Sequence, residues 1–356
     1  MIKLFLYSLH LLVGAFVLHK IYQKVTHVVP FDPAEFRIEK PQFSDAEKAL
    51  GRFGKKLFHD TDFSKNGEVA CATCHQRAHS FADNQPLSKG IGLTGVNSPA
   101  AINQVYQKWF FWDGRVDTLA AQALQPVENP NEHGFSRHEL VAVLQEKYPR
   151  EYQEYFGDAS TQEVDEIFYN FGRAIEQYEK GLIAIDSPFD RFMAQYVPGE
   201  APPHVDGFGE DEWIGFQIFL GEGKCVKCHA GALFTDQDFH FTGLGRTTIP
   251  GRKEGVAKLL TNKFACRSPA CQSLGLEVKD EDLHKVKTPS LRNVALTAPY
   301  FHDGSAATLE DAVNRYLLNR FKEGIDPDAQ NIVLNDVQVD FVVAFLESLT
   351  SEVQEF

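Results

Sequence analysis

The chain has 356 residues, of which 43% are apolar and 24% charged, and its formal net charge is −14. This length accommodates two domains, and the composition is typical of a globular protein rather than a disordered one. The acidic balance argues against nucleic acid as a partner, because phosphate binding requires clustered lysine and arginine. It is compatible with a basic protein partner, or it serves solubility alone.

Residues 1–24 form the first predicted element, an apolar export segment. Lys3 precedes a mostly apolar run, Leu4–Leu18, and Lys20 follows it. The run has the length of a signal-peptide core, but no small-residue cleavage motif follows, and a modest extension would span a membrane. The segment is therefore predicted to be either an uncleaved signal anchor or a cleaved signal peptide. Both alternatives export the remaining chain.

Two copies of the pattern C-x-x-C-H come next along the chain, at Cys71–His75 and Cys225–His229. This pattern is the signature of covalent haem c attachment, in which two thiols bind the haem vinyl groups and the adjacent histidine ligates iron. A lone C-x-x-C also suits a redox disulfide or half a zinc site, but two copies followed by histidine favour haem. We predict two haem c groups, bound by Cys71, Cys74, His75, Cys225, Cys228 and His229.

Cys266 and Cys271 are the two cysteines outside these motifs. A disulfide that closes this short loop is predicted for an oxidising compartment, and redox sensing is the alternative.

An internal repeat connects the two haem motifs. Residues 98–119 align without a gap on residues 288–309, at a constant offset of 190, and each copy follows one C-x-x-C-H. Such a repeat indicates duplication of a one-haem domain. The polar stretch Gly199–Asp211 then separates an N-terminal haem domain, 31–205, from a C-terminal haem domain, 206–356.

The remaining pattern is mainly helical. Asp165–Leu182 and Asp340–Leu349 carry apolar residues at helical spacing, and no run of alternating strands is present. The predicted fold is mostly α, with two cytochrome c-like haem domains after an N-terminal apolar helix.

The repeat also compares the two predicted haem pockets, because the offset of 190 places Pro126 on Tyr316. Proline has no donor for iron, whereas tyrosine can ligate ferric haem. One haem would then keep an open position for peroxide. The residues alone leave a second interpretation of Tyr316, a buried tyrosine with a satisfied hydroxyl.

The sequence resembles the bacterial dihaem cytochrome c peroxidase and MauG family along nearly all of the exported chain. The matching motifs are Cys71–His75, Phe111–Arg115, Gln122 with Pro126, Asn129–Glu132, Cys225–His229, Thr288–Asn293 and Pro299–Gly304.

This resemblance implies roles for individual residues. His75 and His229 would be proximal iron ligands, with peroxide reacting at the N-terminal haem. Glu132 would move protons as the distal acid and base, Gln122 would line the same pocket, and Trp112 would carry electrons between the haems.

The resemblance also implies one calcium ion between the domains, bound by Asn97 and by the backbone carbonyls of Thr297 and Pro299. Hard oxygen ligands of this kind suit calcium. The family further suggests a periplasmic location, anchored at the bacterial inner membrane or soluble, and a homodimer.

Two departures place the chain nearer to MauG. The position of Tyr316 carries methionine in the conventional peroxidases, and here the only methionines are Met1 and Met193. The loop Ser88–Gly95 lacks the removable histidine ligand of those enzymes. His133 replaces the usual methionine after the distal glutamate, where it would alter proton delivery or face solvent.

Three functions follow from these features. The favoured one is an oxidoreductase that reacts with hydrogen peroxide at the N-terminal haem and oxidises an external redox protein or protein substrate through the second haem, with MauG-like high-valent chemistry. The alternative is a conventional cytochrome c peroxidase that removes peroxide with electrons from a small redox protein. The third is a non-catalytic dihaem electron carrier.

Overall fold

The computed structural model describes residues 28–245, 249, 251–319 and 324–356. The predicted export segment, residues 1–24, lies outside these residues. Within the described ranges, no helix is long and apolar enough to cross a membrane.

The described part of the chain is mostly helical, as predicted. Its α-helices are α1 (Asp45–Phe58), α2 (Cys71–Cys74), α3 (Leu119–Glu128), α4 (Arg137–Lys147), α5 (Pro149–Phe156), α6 (Val164–Lys180), α7 (Pro188–Gln195), α8 (Glu210–Leu220), α9 (Arg252–Thr261), α10 (Pro269–Gln272), α11 (Leu309–Asn319) and α12 (Asp336–Glu347). Two short strands, β1 (Phe239–His240) and β2 (Val286–Lys287), pair antiparallel with Phe239 opposite Lys287. The two helices predicted from apolar spacing correspond to α6 and α12, and both are confirmed.

A closely packed helix pair forms the frame of each half of the chain, where the first half denotes the described residues up to 205 and the second half those from 206 onward. Helix α1 packs against α6 in the first half, and α8 packs against α12 in the second. A Cβ atom at Gly54 would lie 1.8 Å from the carbonyl oxygen of Ala174, and one at Gly215 would lie 1.8 Å from that of Phe341. Both crossings therefore require glycine, because any side chain there would push the helix backbones apart.

The two repeat copies adopt similar backbone conformations at the offset of 190. Asn103 and Asn293 have φ angles of 57° and 56°, and Phe111 and Phe301 have 67° and 70°. Equivalent threonines also cap the helices that follow each copy, because the hydroxyl of Thr118 accepts from the start of α3 and that of Thr308 from the start of α11. The similarity therefore extends from residue type to backbone conformation.

Two apolar cores lie in the described residues, and segments cross between them along the chain. The first core surrounds α1, α3 and α6 but also contains Phe264 and Cys271. The second surrounds α8 and α12 but also contains Phe36 and Phe189. The boundary after residue 205 stays a prediction, and chain from either side of it contributes to both cores.

Candidate functional site

The first C-x-x-C-H motif forms α2 and the residue after it. Cys71 and Cys74 are not joined in a disulfide. The Nδ1 atom of His75 lies 2.9 Å from the carbonyl oxygen of Phe81, which fixes the ring and leaves Nε2 for a metal. Burial lowers the pKa of His75 and so favours the neutral imidazole that binds iron. Burial also raises the pKa of the Cys74 thiol to about 12.

The second motif repeats this arrangement. Cys225 and Cys228 are free thiols, and Nδ1 of His229 lies 2.9 Å from the carbonyl oxygen of Phe234. Burial lowers the pKa of His229 and raises that of Cys225 to about 12. Each half therefore presents one neutral imidazole beside two thiols.

A cavity of about 300 Å³ lies beside the second motif and is lined mainly by apolar side chains. Cys225, Cys228, His229 and Tyr316 all line it. Burial raises the pKa of Tyr316. The structure thus brings together the side chains that the sequence assigned to the second haem.

The residues around this cavity fit a haem c group. Its apolar wall suits the porphyrin, and the free thiols and oriented histidine suit covalent attachment and iron ligation. Lys287 also lines the cavity, and within the described residues its ammonium has two long contacts, 3.4 Å to Gln107 Oε1 and 3.4 Å to the carbonyl oxygen of Thr288. Burial lowers the pKa of Lys287 to about 8. A weakly bonded ammonium here suits the carboxylates that haem carries.

The predicted distal residues of the first half lie on α3 and the turn after it. Gln122 has a buried side-chain oxygen without a hydrogen-bond partner in the described part of the chain. The backbone N–H of His133 donates a hydrogen bond to the carbonyl oxygen of Pro126 at 3.1 Å. Asn129 donates its side-chain amide to Glu132 Oε1 at 2.5 Å. The turn therefore fixes Glu132 close to α3.

Glu132 is half-buried in an environment that favours its protonated form. Burial raises the pKa of Glu132, whereas the Arg115 charge and the Asn129 hydrogen bond oppose this rise. Burial, and to a lesser extent a negative charge on Glu132, raises the pKa values of the Cys71 and Cys74 thiols. Such a carboxyl can both accept and return a proton.

The loop Ser88–Gly95, singled out in the sequence for its missing histidine, packs directly on this turn. The backbone N–H of Ile91 donates to the carbonyl oxygen of Glu132 at 3.0 Å, and that of Gly92 to Asn131 at 2.9 Å. A Cβ atom at Gly90 would lie 2.6 Å from the Cα of Glu132. Sequence reasoning missed this contact, although the closely spaced glycines were a visible signal.

Trp112 lies between the two halves and lines the cavity beside the second motif. Its indole N–H donates to the carbonyl oxygen of Asn97 at 2.9 Å, and its ring centroid lies 6.3 Å from that of His302. The backbone N–H of Lys287 donates to the carbonyl oxygen of Trp112 at 2.8 Å. Both halves therefore determine where this indole lies.

The three predicted calcium ligands line the same cavity, so the fold brings Asn97, Thr297 and Pro299 to one region. The Asn97 amide nitrogen donates to the carbonyl oxygen of Gln85 at 2.7 Å, which leaves its side-chain oxygen as an acceptor. Calcium at this place stays a prediction.

Two further sequence interpretations have a structural outcome. His133 is buried, with Nδ1 2.9 Å from the carbonyl oxygen of Phe63, so the solvent-facing alternative is wrong. Cys266 and Cys271 form a disulfide, as predicted.

His240 is a feature that sequence reasoning missed. It lines the cavity beside the second motif, with Nδ1 2.6 Å from Asp326 Oδ2 and Nε2 2.8 Å from Asp236 Oδ2. The bonded Asp236 raises the pKa of His240 to about 11, so this imidazole is held as a cation. Asp236 lies only four residues earlier in the chain, but Asp326 is distant in sequence, so no local pattern indicated that two aspartates would bind one imidazole.

Comparisons with known proteins agree with this geometry. A profile of the family described as di-haem cytochrome c peroxidase matches residues 48–197. Cytochrome c551 peroxidase of Nitrosomonas europaea is 31% identical over 315 residues, which cover 86% of this chain and 81% of that protein. Methylamine utilization protein MauG of Methylorubrum extorquens is 30% identical over 302 residues, which cover 84% of this chain and 77% of that protein.

A solved structure extends the similarity to the fold. The crystal structure of a MauG-like protein associated with microbial copper homeostasis superimposes with a TM-score of 0.67 at 25% identity, and covers 92% of this chain and 94% of that one. The chain therefore belongs to the family of di-haem cytochrome c peroxidases and MauG, which are haem peroxidase-type oxidoreductases with two haem c groups.

Proposed function

We propose that this chain reacts with hydrogen peroxide at the N-terminal haem and oxidises an external redox protein or protein substrate through the second haem, in the manner of MauG. The observation that carries this proposal is the difference between the two haem environments. Gln122, with its unpartnered buried oxygen, and Pro126, which has no donor, lie on α3 in the first half. Tyr316 lines the cavity of the second half.

Haem, when bound, supplies the iron centre at which peroxide is reduced. The protein residues around it handle protons. Glu132 in its ionised form accepts a proton from peroxide and returns it to the departing oxygen, so that cleavage releases water rather than hydroxide. Gln122 offers amide groups that orient the peroxide oxygens. Reduction of one peroxide to two waters consumes two electrons and two protons.

Trp112 and Tyr316 are proposed to support electron transfer between the haems. Trp112 lies on the route between the halves, where an indole is a suitable intermediate for single-electron transfer. Tyr316 offers an oxygen ligand to the second haem, which closes that iron to peroxide. Together these residues confine peroxide to the first half and allow oxidation at the second.

A conventional peroxidase is the second candidate, because the relatives include both classes. A MauG-like enzyme and a conventional peroxidase differ in whether the first haem can bind peroxide before any reduction. The docked loop Ser88–Gly95 has no histidine, which supports a first haem that is open before any reduction.

Electron paramagnetic resonance of the fully ferric holoprotein tests the proposal. We expect one high-spin haem, open at its sixth position, and one low-spin haem whose signal changes in Tyr316→Phe. Two low-spin signals that Tyr316→Phe leaves unchanged would contradict the proposal and favour a gated peroxidase or an electron carrier.

The remaining expectations complete the proposal. We infer one calcium ion at Asn97, Thr297 and Pro299. We also infer that the two halves, domains 31–205 and 206–356, arose by duplication. The chain is proposed to be periplasmic, with residues 1–24 serving as an anchor or as a cleaved signal peptide. A homodimer is also proposed, and nucleic acid is not a partner.

A further inference from the structure

A long excursion of the second half reaches across to the first half. This segment, Gly251–Lys285, is called the strap below, and it lies between β1 and β2 in chain order. Its ends are joined, because the backbone N–H of Arg252 donates to the carbonyl oxygen of Lys285 at 2.8 Å. Farther along, the Phe264 ring stacks on Tyr169 of α6 with 5.7 Å between centroids. The strap is thus closed at its base, and farther along it packs on the first half.

Arg252 occupies an unusual environment at the base of the strap. The residue is 7% exposed, and its guanidinium lies over the rings of Trp109 at 4.6 Å and Phe239 at 4.1 Å. It donates to the carbonyl oxygens of Gly114 at 2.8 Å and Asp113 at 3.4 Å. Burial of a cation costs free energy, which the backbone acceptors and aromatic faces offset, and such a tailored environment points to a specific role.

The turn that Arg252 holds comes directly after Trp112 in the chain. A Cβ atom at Gly255 of the strap would lie 1.9 Å from the carbonyl oxygen of Asp113. On another side, Phe239 packs so closely that a Cβ at Gly114 would lie 2.2 Å from its Cζ. Residues of the second half therefore pack closely against the turn at Asp113 and Gly114, and Arg252 donates hydrogen bonds to it.

We propose that Arg252 is a positioning residue for Trp112, which it holds at the separation that electron transfer between the two halves requires. This inference rests on the proposed function, in which Trp112 carries electrons. The step moves one electron from the second haem to the first, so the second is oxidised and the first reduced by one unit, and no bond forms or breaks.

The guanidinium suits this task better than an ammonium. Its Nη1 donates to both carbonyls of the turn while the planar group lies over the rings of Trp109 and Phe239, whereas lysine offers a flexible point charge that cannot stack in this way. Electron transfer through protein slows steeply as donor and acceptor separate. A small displacement of the turn should therefore slow transfer without altering either haem's ligands.

The test uses the ferric holoprotein and measures electron equilibration between the haems after flash reduction by a photoexcited flavin. Arg252→Met should slow equilibration about tenfold or more, and Arg252→Lys should fall between Met and the native residue. Lys253→Gln is the matched control, because Lys253 lies next on the same helix and pairs with Asp280 at the surface. Its rate should equal that of the native protein.

Ultraviolet resonance Raman provides a readout that a merely stabilising role would not change. The indole band that reports the Trp112 hydrogen bond to Asn97 should shift in both Arg252 variants and stay in place in Lys253→Gln. If Arg252→Met gives no holoprotein, Arg252→Lys and Arg252→Gln carry both measurements.

Trp112→Phe distinguishes the proposed role of Arg252 from the proposed electron route through Trp112. If Trp112→Phe slows equilibration while the folded Arg252 variants keep the native rate and Raman band, the inference about Arg252 is overturned and the route through Trp112 stands. If Trp112→Phe itself keeps the native rate, the proposed route fails and the role of Arg252 fails with it.

Discussion

The two haem environments share a framework and differ in what that framework presents to the haem. Each has a histidine whose Nδ1 lies 2.9 Å from a backbone carbonyl, and each is followed by a helix capped by an equivalent threonine. At the offset of 190, however, Gln122 of the first half corresponds to Ala312, and Pro126 corresponds to Tyr316.

Under the proposed function, this difference would let two similar sites divide one reaction. The first half carries a buried amide and an acid beside a residue without a donor, which suits peroxide. The second half carries alanine and a tyrosine oxygen, which suits a closed haem that only exchanges electrons. Under the proposed function, a few helix positions, rather than a different fold, would separate the roles.

Removal of the acid from the first half should give the largest effect. We expect Glu132→Gln to lower the rate constant of the peroxide reaction by roughly 10²- to 10⁴-fold, because the amide cannot take up the proton. Stopped-flow absorption of the ferric holoprotein measures this rate. A variant within twofold of the native rate would show that Glu132 is not the base.

The same residue should set the pH dependence. Burial raises the pKa of Glu132, so its ionised, proton-accepting form is lost as the pH falls through this raised value. The native rate should therefore rise with pH through that range, and Glu132→Gln should lack this rise. An identical pH profile in both proteins would assign the titration to another group.

Calcium removal tests the region where the halves meet. If Asn97, Thr297 and Pro299 bind the ion, saturating calcium at 100 times its dissociation constant should stabilise the native state by about 2.7 kcal/mol. The melting temperature should then fall with a chelator and recover with calcium, and Asn97→Ala should abolish this response. A melting temperature that does not change with calcium or chelator would exclude the calcium site.

The loop over the first site provides a matched pair of glycines. We expect Gly90→Ala to destabilise the fold by roughly 1–3 kcal/mol and to slow the peroxide reaction, because the added Cβ would collide with the Glu132 backbone. Gly95→Ala is the control, since a Cβ there has nothing within 4 Å. Urea unfolding and stopped-flow kinetics should distinguish the two, and equal behaviour would refute the contact.

A tyrosine placed at position 126, the equivalent of Tyr316 in the first half, tests the difference between the two haem environments directly. Pro126→Tyr should supply an oxygen ligand to the first haem, and a preference of 1.4 kcal/mol for the closed form would slow the peroxide reaction about tenfold. The high-spin resonance should decline in parallel. Pro126→Ala, which supplies no ligand, should keep the signal; its loss there would mean that the helix was disturbed.

Sequence reasoning reached the parts of the site that depend on short-range patterns. The C-x-x-C-H spacing, the helical periodicity of α6 and the local Cys266–Cys271 pair were all readable from neighbouring residues. The strap, the docking of Gly90 on Glu132 and the clamp of His240 between two aspartates were not. These contacts join residues that only the folded chain brings together, and no local pattern specifies which distant segment a glycine or a buried cation will meet.

The most direct test of the central claim is stopped-flow absorption of the fully ferric holoprotein mixed with one equivalent of hydrogen peroxide and no reductant. An asymmetric pair of haems, one open and one closed by Tyr316, predicts a fast change of the Soret band, slowed in Glu132→Gln. No reaction until one haem has been reduced would contradict the account and identify a gated conventional peroxidase.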